Sequence, residues 1–472
     1  MRALEIVFVL IALAFLLAQN ARAVPRQYLL ALFAAGLATL VTSGVLGQLR
    51  WQMAPVYLLF ATSSLLLLRH AYSHVAVRSI GVFVGFVLVA LGVTLSVGMP
   101  VLTLPAPAGP YAVGSTSLSL VDESRDNAFF GAPAEKREIY VQVWYPGDIR
   151  EPEPRAKALW EELHRGDLDR FTFFTRYLRD VETHSYEDLP LSMAQAAYPV
   201  IMFSHAIVSF AEQNTLLMEH LASHGYVVVG LSHPYASMRA MSAQGTAIYP
   251  NLAKVNEVSG QSGAIDDELM PRIELAASAE ERAELHVQRF ERATGLGELI
   301  AIWVDDLRFV LDELPKQTAF ENRLDLDRIG FLGMSFGGAA ITEFCKSDTR
   351  CRAAMNMDGG TYGRRQREPL QVPYLALIRD VQHSSLDYLL RASRSDYYQL
   401  TVAGATHLDF TDDTVVLPIL KWFGMSGDTG GWRIIEITNA VALQFFDGYL
   451  RDRPKPRFDG EFPEVTMKQQ LL

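Results

Sequence analysis

Gly333-Met334-Ser335-Phe336-Gly337-Gly338 follows the apolar run Ile329-Gly330-Phe331-Leu332 and opens onto small residues, which reads as strand, tight turn, helix. A serine at such a turn is the setting of a nucleophile elbow: its hydroxyl projects into a cleft, and glycines flank it because a Cβ there would strike neighbouring backbone. The five-residue pattern alone is common. The strand before it and the helix after it give it weight.

A serine hydroxyl is a weak nucleophile until a base takes its proton, and that base needs an acid to fix its tautomer. The chain order with this elbow is serine, acid, histidine. Of eleven histidines only His383 and His407 follow Ser335. His407 stands just past the strand-like Tyr398-Gln399-Leu400-Thr401-Val402, on the kind of loop that carries catalytic groups, whereas His383 lies in a polar run; placement favours His407. Two aspartates each end a strand-like segment, Asp358 after Ala353–Met357 and Asp380 after Tyr374–Arg379. Gly359-Gly360 would let the chain turn sharply after Asp358, and the residues by themselves leave both acids open.

Six blocks occur in order: Arg137–Pro146, Tyr198–His205, Leu221–Val229, the elbow, Met357-Asp358-Gly359 and Thr406-His407. Together they resemble the plasma-type platelet-activating-factor acetylhydrolases and their bacterial relatives, from about Arg137 to Leu450. The resemblance implies an α/β-hydrolase fold, Asp358 as the acid and a triad of Ser335, Asp358 and His407. It also implies an oxyanion hole made by the backbone N–H groups of Phe336 and Ile207. The family's Ser-His-Gly-apolar pattern reads Ser204-His205-Ala206-Ile207 here, and alanine tolerates positive φ poorly, so a shifted loop is expected. His205 is expected to be a buried, loop-fixing residue.

Residues 1–109 hold no lysine, one acid, Glu5, and four apolar stretches at about 3–19, 28–46, 53–68 and 80–102. The second and fourth have ample length for a bilayer, the first and third are at the short end, and a four-helix transmembrane domain is the expectation. Ala21-Arg22-Ala23 also resembles a signal-peptide cleavage site. Arginines argue against cleavage: Arg22, Arg26, Arg69 and Arg78 fall on one side and Arg2 and Arg50 on the other. The positive-inside bias then puts the N-terminus and the large C-terminal domain outside, on the periplasmic or extracellular face of a bacterial plasma membrane. Expected boundaries are 1–104 for the membrane domain, 105–114 for a Pro/Gly/Ala linker and 115–472 for the catalytic domain.

Beyond the linker, β-branched runs alternate with helical patterns such as Leu216–Ser223 and Leu299–Leu314, which argues for a mostly parallel sheet with helices on both faces. Two insertions stand out. Ala156–Tyr177 carries Phe171, Phe173, Phe174 and Tyr177, expected to pack in a core; Asn251–Thr294 is charged and then helical, placed to cover a cleft. The tail from Phe458 shows no pattern. Cys345 and Cys351 are a candidate disulfide behind the elbow helix in an oxidising compartment.

The chain carries −11 overall, of which residues 1–109 contribute +5, so the remainder is strongly acidic. Such a domain is a poor nucleic-acid binder and favours neutral or zwitterionic substrates. Arg364-Arg365-Gln366-Arg367 is the one basic exception, read as a solvated loop with anion docking as the sharper alternative. No cofactor and no metal are expected. The expected activity is hydrolysis of short-chain acyl esters, including phospholipid esters, through an acyl-enzyme on Ser335. Acyl transfer by the same triad and a catalytically silent binding or sensor module are the alternatives.

Overall fold

The computed structural model describes residues 1–21, 24–69, 75–149, 156–165, 172–381, 385–458 and 460–472. Arg22, Ala23, Phe171 and His383 lie outside these, as do the side chains of Arg69 and Arg78. The chain divides into two units, Met1–Thr103 with Thr414–Gly424, and Leu104–Asp413 with Met425–Leu472.

The first unit contains α1 (Ala3–Asn20), α2 (Arg26–Val45), α3 (Ala54–Arg69) and α4 (Val75–Gly98). Three segments, Ala3–Asn20, Arg26–Val45 and Ser79–Gly98, are long and apolar enough to cross a membrane; Trp51–Leu67 is shorter. Among the described residues three of the four expected stretches thus have the length of a span, and the third is at the short end, as its sequence indicates. Helix α3 has 16 residues, about 24 Å at 1.5 Å per residue against a hydrocarbon core of about 30 Å. Phe8, Phe15 and Phe60 pack inside this unit while Leu10, Val45, Ile80 and Phe83 face outward, the inverse of a water-facing helix surface. Glu5 and Arg50 form a buried two-bond ion pair, Nε to Oε1 at 2.6 Å and Nη2 to Oε2 at 2.8 Å, and Arg50 Nη1 donates to Met99 O.

The second unit is built on β1 (Ala112–Asn127), β2 (Ala132–Gly147), β3 (Ala156–Ala158), β4 (Glu182–Glu187), β5 (Tyr198–Ser204), β6 (Val227–Ser232), a small hairpin of β7 (Ala240–Met241) and β8 (Ala247–Ile248), then β9 (Leu324–Met334), β10 (Cys351–Met357), β11 (Tyr374–Arg379), β12 (Tyr397–Val402) and β13 (Val465–Gln470). Eleven of these form one sheet in the order β13-β12-β11-β10-β9-β5-β6-β2-β1-β4-β3. The run from β6 to β12 is parallel. β2 and β13 join its two sides antiparallel. The tail without a legible pattern thus supplies an edge strand, since its backbone completes the free edge of β12 whatever its side chains are.

Buried strands read as continuous apolar runs because both faces are covered. On β5, Val200 and Met202 face one core with Trp303, Leu307 and Phe331, whereas Ile201 and Phe203 face the other with Leu221, Met355 and Phe445. Helices α5 (Thr215–Ser223), α8 (Thr294–Glu313) and α9 (Phe336–Ser347) and the C-terminal helix Gly431–Leu450 supply those covering residues. The second insertion forms a helical pair, α6 (Leu252–Leu275) and α7 (Ala279–Arg292), tied by Arg289–Asp266 and Arg292–Glu268. The first does not bury its aromatics as expected: Tyr177 is buried, but Phe173 and Phe174 are exposed, because the chain there forms turns and a short 3-10 helix with no continuous apolar face.

The chain runs from β5 to β6 on one side and then returns to place β9 on the other side of β5. That reversal opens a crevice at the carboxyl ends of β5 and β9, the place where parallel sheets bind ligands.

Candidate active site

Ser335, Asp358 and His407 each follow a strand at the carboxyl edge of this sheet. Ser335 follows β9 with φ 55° and ψ −116°, a conformation costly for a residue with a Cβ. Its neighbours show why the glycines are required. A Cβ on Gly333 would lie 2.3 Å from the Gly337 carbonyl oxygen, and one on Gly337 would lie 2.0 Å from the carbonyl oxygen of Ser204 at the end of β5. Helix α9 is thereby packed directly on the loop leaving β5.

Asp358 follows β10, also at positive φ (50°), and its N–H donates to Leu377 O at 2.8 Å. Gly359 lies beneath the turn at Ser335, where a Cβ would be 2.2 Å from Ser335 O. His407 lies beyond β12, in a short 3-10 turn whose capping box pairs Thr406 with Asp409. Asp409 is fully buried and also accepts from Ser426 Oγ and Gly427 N, so the turn is fixed from both sides.

These loops bring the three expected side chains together. His407 Nε2 is 2.9 Å from Ser335 Oγ, and His407 Nδ1 is 2.5 Å from Asp358 Oδ2. A carboxylate only accepts, so Nδ1 carries the proton and Nε2 is left to accept from the serine hydroxyl. The Arg379 N–H donates to Asp358 Oδ1 at 3.2 Å and Arg379 Nε lies 3.3 Å from Oδ2, orienting the carboxylate. The Asp358 side chain is 8% exposed and that of His407 36%, which puts the reacting end of the set at the cleft. Asp380, the other acid, is exposed past the end of β11.

Phe336 N is at the first turn of α9 and Ile207 N lies on the loop after β5; among the described residues neither N–H has an acceptor. Ala206 does not take a positive φ, in keeping with an alanine at that position. The strained residue is Val208, at φ 56°, so the loop makes its turn two residues later. His205 is fully buried.

A cleft of about 380 Å³ is lined by Arg289 and Phe290 of α7 together with Asp358, Tyr362, Arg379 and His407. The helical insertion therefore does reach this cleft. A larger, more apolar cavity of about 460 Å³, between Pro105–Ala108, α5 and the C-terminal helix, holds none of the three side chains. The basic run is a solvated surface: Arg365 pairs with Glu368, and Arg367 with Glu284 and Glu291. Cys345 and Cys351 form a disulfide joining the end of α9 to the start of β10, with Cα atoms 5.2 Å apart.

Two polar residues given no role by the sequence, His233 and Asp306, lie with Ser204 beside the loop after β5. Ser204 ends β5, His233 follows β6 and Asp306 projects from the buried face of α8. Their signal was present: Asp306 is an acid in an otherwise apolar helical stripe, Leu299, Trp303, Leu307 and Val310.

The family profile described as platelet-activating factor acetylhydrolase, isoform II, matches residues 97–460. A platelet-activating factor acetylhydrolase of Gallus gallus is 23% identical over 367 residues, covering 74% of this chain and 83% of its own length. A putative phospholipase A2 of Schizosaccharomyces pombe is 29% identical over 141 residues, 28% of this chain and 32% of that protein. Among solved structures, a ferulic acid esterase from Streptomyces cinnamoneus superposes with a TM-score of 0.61 at 26% identity, covering 78% of this chain and 99% of the esterase. With an α/β-hydrolase-like sheet and a profile match across most of its length, this chain belongs to the family of platelet-activating factor acetylhydrolase, isoform II.

Proposed function

We propose that this protein is a membrane-anchored serine esterase in which Ser335 is the nucleophile, His407 the general base and acid, and Asp358 the residue that orients His407. The observation that carries the reading is the unbroken line from Ser335 Oγ through His407 to Asp358 at the switch point of the sheet. In this reaction Ser335 Oγ attacks the ester carbonyl carbon as its proton passes to His407 Nε2. The negative charge on the former carbonyl oxygen is met by the N–H groups of Phe336 and Ile207. Collapse expels the alcohol, which takes the proton from His407, and leaves an acyl group on Ser335. Water, activated by the same imidazole, then releases the acid.

Short-chain acyl esters of phospholipid type are the proposed substrate class. The names of the relatives support this choice, and so does a mouth that mixes arginine with aromatic side chains. The proposed orientation places the catalytic unit outside the membrane, on the charge asymmetry of the arginines. The test is turnover of p-nitrophenyl esters from acetate to octanoate by the full chain in detergent, with Ser335→Ala alongside. Turnover that falls with chain length and vanishes in the variant fits the proposal. Turnover that persists in Ser335→Ala would remove it, and a maximum at octanoate would point to lipase-like use.

A further inference from the structure

Behind the loop that carries Ile207 lies a second serine, histidine and aspartate joined through the same atoms as the first. Ser204 Oγ is 3.0 Å from His233 Nε2, and His233 Nδ1 is 2.9 Å from Asp306 Oδ2. All three side chains are fully buried, so no ester can reach them. Asp306 also accepts from Arg137 Nε (2.9 Å) and Nη2 (2.6 Å) and from Arg125 Nη1 (2.9 Å), and the guanidinium of Arg137 holds its carboxyl well below the usual carboxylate range. Asp306 is thus an anion that fixes the His233 proton on Nδ1, and Trp303 stacks on the ring at 3.9 Å.

From His233 the contacts run to the oxyanion loop. The backbone N–H of His233 donates to His205 Nε2 at 3.3 Å, and Ser237 Oγ lies 2.8 Å from the same nitrogen. His205 Nδ1 is 2.6 Å from Ala206 O, which only accepts, so Nδ1 carries the proton. Burial and the neighbouring imidazole keep His205 neutral. Ser209 N–H donates to the same carbonyl at 3.0 Å, and Ala206 N–H is held by Gln213 Oε1 at 2.9 Å. A trans peptide is planar, with its C=O and the following N–H pointing opposite ways. Holding Ala206 O therefore aims Ile207 N–H away from the buried side.

We propose that His205 is a positioning residue which, through Ala206 O, sets the direction of the Ile207 N–H as oxyanion donor, and that Ser204, His233 and Asp306 with Ser237 anchor His205 for that task. This deepens the serine esterase reading and rests on it. Trp303 ties the two donors together, stacking on His233 and meeting Phe336 edge-on at 4.9 Å.

The test compares aryl acetate with the matching aryl thionoacetate, whose sulfur is a poor hydrogen-bond acceptor and draws little help from an oxyanion hole. His205→Leu is expected to lower kcat on the oxygen ester about 100-fold, the cost of losing one oxyanion donor. KM should stay within about twofold and thionoester turnover should barely change, so the oxygen-to-sulfur rate ratio collapses. His205→Asn, which keeps a donor near the Nδ1 position, is expected to restore most of that ratio. Equal losses on both substrates, or no loss, would overturn the proposal. Should His205→Leu fail to fold, Ser237→Ala removes a single hydroxyl and is expected to lower the ratio several-fold; an unchanged ratio there overturns it equally. Ser335→Ala run in parallel separates the two layers. If it keeps its turnover the esterase reading itself is wrong, whereas dead Ser335→Ala with an intact ratio in His205→Leu removes only the positioning role.

Discussion

Ser335–His407–Asp358 and Ser204–His233–Asp306 are the same three side chains linked by similar distances, and they differ in what surrounds them. In the first set the imidazole is over a third exposed at the mouth of a cleft. In the second nothing is exposed, and the carboxylate is shared with a buried arginine. The serines also differ in backbone: Ser335 is held at positive φ in a turn, and Ser204 ends a regular strand. A hydrogen-bonded serine, histidine and aspartate therefore has no chemistry of its own. Access and backbone presentation decide whether it can react or only hold its surroundings in place.

The largest expected effect is Ser335→Ala, which should lower kcat by about 10⁴-fold or more, whereas Ser204→Ala, acting only through the anchoring of His205, should cost no more than the loss of one oxyanion donor, about 100-fold, measured as ester turnover at saturating substrate. Next comes a crossed pair of carboxylate changes. Asp358→Asn is expected to cost about 10³ to 10⁴ in kcat by favouring the wrong His407 tautomer while the site geometry stays intact. Asp306→Asn should instead weigh on stability, costing about 3–5 kcal/mol in chemical denaturation because Arg137 is left buried without its counter-charge, with a kcat loss no larger than that of one oxyanion donor, about 100-fold. Equal effects from the two would erase the distinction between the sets.

The pH dependence sharpens the same contrast. Asp306 has a depressed folded pKa, so its stabilisation is fully present above the unfolded aspartate value of about 3.9 and is lost as pH falls through the folded pKa. The stability difference between wild type and Asp306→Asn should be flat from pH 8 to pH 5 and shrink only in stronger acid; a difference that shrinks near pH 6 would mean the carboxylate is not held as described. The smallest expected effect is Ala206→Gly. Because Ala206 already has an ordinary φ, glycine should leave kcat within about twofold and cost about 0.4–1 kcal/mol through backbone entropy.

The strand, turn and helix around Ser335, the parallel sheet and the place of His407 on the loop after β12 were legible in the sequence, because glycine spacing and strand-end loops are local signals. The acid was different. Asp358 and Asp380 both end strands, and only the resemblance separated them; in three dimensions the positive φ at Asp358 and the close packing of Gly359 under Ser335 turn one carboxylate toward His407 while Asp380 stays in solvent. His233 escaped notice because the serine, acid, histidine order directs attention to residues after the elbow, and a structural relay obeys no such order. Hydropathy located all four apolar helices, and α3, with 16 residues, is the shortest of them. At Ala206 the loop carries no positive φ, and its turn falls on Val208, a position that residue preferences alone did not single out.

The most direct test of the account is to treat the full-length protein with a fluorophosphonate and locate the adduct by peptide mass mapping. The account predicts one adduct, on Ser335, forming in step with loss of ester turnover, and none on Ser204. An adduct on another serine that tracks the loss of turnover, or full inactivation with Ser335 unmodified, would contradict it.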